Sequence, residues 1–523
     1  MSILSREFLL RLAVLIPVNY LLPVRWRYLA LLAGSMVFYA AAGWQGMAYL
    51  GAVTLLTWLG GLWMGRSCKK ERAAAEEGDK SAAHRVKRRR KWMQALIVIL
   101  VIGGMAIIKY AELLHMGVNA LYLALVEGAK TLEVWSLFVP LGLSYFTFQS
   151  VGYVVDCARG KLQPEKNPLK YLLFVSFFPQ ITQGPITTYR QLAPQLSSPA
   201  RFEPSAFVAG FQLAMWGYFK KLVLADRLAP VTDYIAKGKT AMPGWLILLG
   251  VALYAIRLYA DFSGGMDVIR GAAKMLGIDM AENFRRPFFA VSVAEYWRRW
   301  HISLGGWFRT YLFYPLTTSR FGLALSRGGQ KLLGKKVGRL LPGAMATFVI
   351  FLLIGIWHTA NWNAVIYGAY FGILLGMATL LEPLLKKLRT LLHIPVKSWW
   401  WRGIGLIRTW LLILLPQYFA FTAGPDKGWT LLCATFGSWS FADAAKTMTD
   451  LMAALEWWLA LGAGGIILVV DLLCECKVDV NGRLARGSFL LRWPLLIALI
   501  VATLVFGCYG AGFDAAAFVY TQF

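Results

Sequence analysis

Charge is scarce in this chain, and acidic charge is scarcest. Only 15% of its 523 residues are charged, and 27 acids stand against 54 bases. A soluble chain of this length ordinarily carries about a quarter charged residues, so an array of soluble domains is excluded. Cysteine is also sparse: the six (Cys68, Cys157, Cys433, Cys474, Cys476 and Cys508) show neither a disulfide framework nor zinc-ligand spacing. Cys474-Glu475-Cys476 is too tight for the usual pairings and is expected unpaired at a helix end. No metal site is expected. The first apolar stretch, Phe8–Pro23, lacks a small-residue cleavage site and reads as a retained span. No inverted repeat of the transporter kind is visible.

What is abundant is apolar and aromatic. The chain is 58% hydrophobic, with 22 Trp, 22 Tyr and 31 Phe. The apolar residues fall in blocks near the roughly 20 residues that cross a hydrocarbon core. Met93–Ala111, Trp245–Phe262, Gly343–Trp357, Gly403–Ala420, Trp457–Leu473 and Phe489–Gly507 are the clearest. The pattern predicts an all-α, polytopic transmembrane bundle of about 11–13 spans with re-entrant or interfacial helices.

The formal net charge of +27 sits mostly in short loops between these blocks. Lys and Arg placed there set membrane orientation on the cytoplasmic side. A nucleic-acid partner is not expected, because no soluble fold is left over to carry a basic face. Membrane lipids are the expected contact, with a secondary attraction to anionic headgroups. The basic run at Arg66–Trp92 marks the clearest inner loop, a charged helix or a flexible linker. It divides the chain into N-terminal helices (1–64), the loop (65–92), a core (93–382) and C-terminal helices (383–523).

Strict alternation of spans then fails. If Tyr171–Ile186, Phe207–Val223 and Trp245–Phe262 all crossed, the arginine-rich stretch Ser263–Arg320 would lie outside. One segment must not cross, and Phe177–Pro185 is the candidate. Its two prolines and glycine break a helix, and broken backbone at membrane depth must be buried in protein or line a wet cavity. The same count leaves Lys220 and Lys221 on the outer side.

Of five histidines, His84 and His393 lie among bases and read as solvated, and His115 as interfacial. His358 ends the apolar helix Phe348–His358, with Thr359, Asn361 and Asn363 following. Ionisable groups at membrane depth are expensive and face a cavity or a partner. A general base and an interfacial histidine fit the residues equally well; Asn361 would share its face if the helix continued. His301 lies in Trp297-Arg298-Arg299-Trp300-His301. Arg298, Arg299 and Trp300 could grip the phosphates of a carrier, since guanidinium suits phosphate. Snorkelling arginines in an aromatic belt are the commoner pattern. Asp261, ending another apolar run, needs a basic partner, with Arg257 or a distant Arg as candidates; a structural ion pair is the favoured role.

Five stretches together resemble the membrane-bound O-acyltransferase family, in its bacterial branch of alginate O-acetyltransferases and teichoic-acid D-alanyl transferases. They are Pro140–Gln149; Phe174–Pro179 with Gly184-Pro185; Asp261-Phe262-Ser263-Gly264; Glu282–Pro287 leading into Trp297–Leu304; and Gly355-Ile356-Trp357-His358. The resemblance implies that His358 and His301 are the catalytic pair, within a helical bundle enclosing a tunnel. It implies an acyl donor on the cytoplasmic side, acetyl-CoA or an acyl carrier protein thioester, as co-substrate without a tightly bound cofactor. The acceptor would be hydroxyls of an exopolysaccharide, reached directly or through an extracytoplasmic acyltransferase, in a bacterial inner membrane. Arg298, Arg299, Trp300, Asn361 and Asp261 become substrate-binding candidates. Gly265 and Thr359 depart from many relatives, which bears on the acceptor. The alternatives are a D-alanyl transferase using a carrier-protein donor, and a transporter or flippase without covalent chemistry.

Overall fold

The computed structural model describes residues 4–41, 43–126, 131–133, 137–238, 242–359 and 361–509. Among these the regular structure is helical throughout, without a strand. Eight helices are long and apolar enough to cross a membrane: α1 Trp44–Glu76, α2 Lys80–Lys109, α3 Gly244–Met275, α4 Leu341–His358, α5 Trp362–Leu391, α6 Trp399–Ala420, α7 Ala454–Glu475 and α8 Phe489–Phe506. The shortest has 18 residues, which at about 1.5 Å per residue is close to the thickness of a hydrocarbon core. Ala111–Leu125 is a shorter apolar helix, and Arg6–Leu21 and Val24–Ala40 are further helices of 16 and 17 residues. The chain divides into two compact units, Met1–Phe211 with Ile269–Ala281, and Gln212–Val268 with Glu282–Phe523.

In the first unit the basic run at Arg66–Trp92 is helix on both sides of a tight turn. α1 continues to Glu76, Gly78 turns with φ of 81°, and the Asp79 carboxylate caps α2 by accepting the Ala82 N–H at 2.8 Å. Arg90 reaches Glu71 across the hairpin at 2.5 Å. Helix was one of the two forms open from sequence; the acids Glu71 and Asp79 decide it. The proline-bearing segment is broken as expected. A helix over Pro168–Ser176 stops at Phe177, and a second covers only Phe178–Gln183. The freed backbone is satisfied by protein: Gln180 donates through Nε2 to the Pro185 carbonyl at 2.7 Å. The first residues of the expected Trp135–Val155 span lie outside the described residues. Its remainder, Leu143–Ala158, is buried on every side rather than facing lipid. His115, expected at an interface, is 4% exposed and therefore packed inside.

The second unit is organised around α3 and a seven-residue π-helical segment, Phe219–Ala225. They meet closely at glycines, since a Cβ on Gly264 would stand 2.7 Å from the Gly217 carbonyl oxygen. The contact buries Lys220 and Lys221. Lys220 binds Asp267 at 2.6 Å and Ser263 at 2.9 Å. Lys221 bridges Asp261 at 2.6 Å and Asp226 at 2.7 Å. Buried lysines held this way carry no information about membrane side, so the cost they posed to the span count disappears. α4 and α5 form an antiparallel pair. Gly368, Gly372 and Gly376, spaced four apart on α5, lie against Phe351, Phe348 and Ala344 of α4. Small residues at this spacing let two backbones approach without side-chain interference.

Candidate active site

A cavity of about 1660 Å³ opens in the second unit, walled by the Ser292–Phe313 stretch, α4 and α5. Arg298, Arg309, Lys336, Lys386, Lys387, Arg389 and Arg408 line it, against one acid, Glu382. Among the described residues the only carboxylate partner of these cations is Glu382, 3.4 Å from Arg389. Such a basin attracts a polyanion. Deeper in, the lining turns apolar and aromatic: Trp297, Trp300, Phe308, Ile350, Phe351 and Ile354. Trp297 contributes its ring to this wall, while its Nε1 is buried away from the open cavity.

His301 also lines the cavity and is 3% exposed. It joins two seven-residue helices, Val293–Arg299 and Ile302–Phe308, with φ of 46° and ψ of 52°. The left-handed region is uncommon for a residue with a Cβ and clusters at functional sites. Main-chain bonds hold the joint: Ile302 N–H donates to the Asn283 carbonyl at 3.0 Å, and Arg285 N–H to the Arg299 carbonyl at 2.9 Å. The Asn283 side chain contacts His301 Nδ1, and Phe262 packs edge-on at 4.9 Å between centroids. Burial holds the imidazole well below its ordinary pKa, and a proton on His358 would lower it further. His301 is therefore neutral near pH 7, and the two histidines are close enough to feel each other.

His358 is the last residue of α4. The cavity-lining residues of α4, Thr347, Ile350, Phe351 and Ile354, are spaced three and four apart. Continuing that stripe by four residues reaches His358. Thr359 then turns extended, with φ of −142°, and ends the helix. Asn361 consequently does not share the face of His358. It caps α5, its Oδ1 accepting the Ala364 N–H at 2.9 Å and the Thr359 hydroxyl at 3.1 Å.

The two adjacent arginines part company. Arg298 is exposed to the cavity. Arg299 turns away: it forms paired bonds with Glu475 of α7, both 2.9 Å, and a third with Glu295 at 2.6 Å. Arg286 joins the same Glu475 at 3.0 Å. Trp300 is 8% exposed, stacked on Tyr296 at 5.6 Å, and contributes to the cavity wall. Asp261 is fully buried and its partner is Lys221 rather than an arginine. Arg257 is instead committed to Asp233 at 2.5 Å and Thr232 at 2.7 Å. Asp261 is thus an anchor one residue from Phe262, which touches His301. Reading the sequence did not single out Asn283, Trp297 or Glu475. The signal for Lys221 was present, since two lysines inside an apolar run demand buried acids.

The sequence matches the membrane-bound O-acyltransferase family over residues 133–329. Among curated proteins it is 29% identical over 462 residues to "Probable alginate O-acetylase AlgI" of Azotobacter vinelandii, covering 86% of this chain and 81% of that one. The protein of the same name from Pseudomonas putida is 31% identical over 378 residues, covering 71% of this chain and 70% of its own length. Teichoic acid D-alanyltransferase of Bacillus subtilis is 30% identical over 267 residues, or 50% of this chain and 63% of the relative.

Proposed function

Because the chain belongs to the membrane-bound O-acyltransferase family, we propose that it carries an acetyl group from a cytoplasmic thioester across the bacterial inner membrane toward hydroxyls of an extracytoplasmic polysaccharide. Acyl transfer by a multi-pass membrane enzyme is the family's activity; donor, acceptor and direction are our reading. One observation carries it: a cationic cavity whose inner wall holds His301 and whose α4 stripe runs on to His358. Phosphates of coenzyme A, or of a carrier-bound phosphopantetheine, would sit among Arg298, Arg309 and the lysines. Trp300 and its aromatic neighbours would cover the thioester and exclude water.

In this scheme the acceptor hydroxyl loses its proton to neutral His358 as its oxygen attacks the thioester carbonyl carbon. The carbon–sulfur bond then breaks and the departing thiolate takes up the proton. An extracytoplasmic transferase would receive the acetyl group where the polysaccharide is not itself the acceptor. Acetyl is preferred to D-alanyl because the alginate relative aligns with 86% of the chain and the D-alanyl relative with 50%.

Direction is tested by labelling single cysteines from outside intact cells. Probes near Arg298 and in Arg66–Trp92 should stay unlabelled, while one near Lys427 should react. Labelling near Arg298 would reverse the donor side.

A further inference from the structure

Asn283 is 1% exposed, and its hydrogen bonds decide which nitrogen of His301 carries the proton. Its Oδ1 accepts the Ser303 backbone N–H at 2.9 Å. A backbone N–H only donates, so the amide oxygen and not its NH2 must face Ser303. Nδ2 then lies 3.2 Å from His301 Nδ1 and 3.4 Å from Met266 Sδ. Both can accept, one for each amide hydrogen. The competing contact, His301 Nδ1 to Asn283 Oδ1, is longer at 3.4 Å and meets an oxygen already engaged. An amide N–H directed at Nδ1 requires a lone pair there, which leaves the ring proton on Nε2.

We propose that Asn283 is a positioning residue that locks His301 as the neutral imidazole protonated on Nε2, so that His301 donates a hydrogen bond to the reacting carbonyl and leaves proton abstraction to His358. The proposal rests on the acyl-transfer reading for its role, though not for its geometry. Protonating Nδ1 would set two N–H groups against each other. Turning the amide over would relieve that clash only by placing NH2 against the Ser303 N–H. The backbone cannot yield readily, because Ile302 N–H is bonded to the Asn283 carbonyl at 3.0 Å. Burial favours the neutral ring in the same way, as would any charge that His358 takes up.

The chemistry follows from the tautomer. When the acceptor oxygen bonds to the thioester carbon, the carbonyl oxygen gains negative charge. A desolvated, fixed N–H is worth most at that moment. The acceptor's proton passes to His358 and from there to the thiolate as the carbon–sulfur bond breaks. His301 keeps its own proton throughout, so the two histidines divide the work without exchanging roles.

The full chain has five histidines, so histidine labelled with 15N gives a readable spectrum in lipid bilayers. The His301→Gln variant identifies the His301 signals. Near pH 7 the expected result is a bare Nδ1 and a protonated Nε2, persisting below the ordinary imidazole range. A protonated Nδ1, or a cationic ring near pH 7, overturns the proposal. Asn283→Asp presents a carboxylate of nearly the same shape, which accepts from both Ser303 N–H and Nδ1–H. It should invert the tautomer and bring ring protonation into the neutral range. It should also lower kcat on the order of a hundredfold, the scale of losing one donor to the developing oxyanion, with donor KM within about threefold. Full kcat in that variant overturns the role. The tautomer is read on the resting protein, so absence of any acyl transfer by the wild type would sink the acyl-transfer reading separately.

Discussion

The cavity and the packed region behind α3 are both built with cations, and they use them in opposite ways. Behind α3, Lys220 and Lys221 are each closed off by carboxylates at 2.6 Å. Around the cavity, seven basic side chains share a single acid. Arg298 and Arg299 are neighbours in sequence and fall on either side of this division. A basic residue here is structural when its charge is already answered by the fold, and a binding candidate when it is not. Composition alone cannot make that distinction.

Breaking the first set should cost most. Lys221→Met leaves Asp226 and Asp261 buried around one missing charge. Uncompensated buried charge costs about 3–5 kcal/mol, read as lower yield and a lower melting temperature in detergent. If Lys221→Met melts like wild type, the region behind α3 is not held by its ion pairs. Arg299→Gln should come next, losing charge-assisted bonds to Glu475 and Glu295 worth about 1.5–3 kcal/mol. Its donor KM, measured on the protein that survives, should stay near wild type.

Arg298→Gln should show the reverse. Melting should be unchanged, while donor KM rises about tenfold with kcat little altered, the pattern of binding shared by ground and transition states. A stability defect in Arg298→Gln without a KM change would place both arginines in the structural class. The smallest effect belongs to Lys386 and Lys387, exposed at the cavity's edge. Replacing both with Gln should slow donor capture a few-fold at low salt, and added salt should erase the difference.

The sequence carried the membrane fold plainly, because each of the six apolar blocks read from it lies on a helix long enough to cross, two of them overrunning its C-terminal end by one or two residues. It also offered both histidines as candidates, His358 as the polar end of an apolar helix and His301 directly after a Trp-Arg-Arg-Trp run. What it hid were pairings across distance. Nothing local ties Glu475 to Arg299, or Lys221 to Asp261 forty residues away. Arg257, a single turn from Asp261, was the natural guess, and Asp233 holds it instead. Asn361 illustrates another limit. Its placement beside His358 assumed a continuing helix, and one extended residue, Thr359, moved it to the start of α5. The glycine spacing on α5 and the two lysines inside an apolar run were present in the sequence but went unread, and neither says which helix answers.

The central claim is that His358 drives acyl transfer from a thioester bound in the cationic cavity. It is tested most directly with purified protein in proteoliposomes, supplied with labelled acetyl-CoA and an acetyl-free oligosaccharide acceptor. Wild type should form labelled ester, and well-inserted His358→Ala should fall by about 10²–10⁴-fold. Equal labelling by the two proteins would contradict the account.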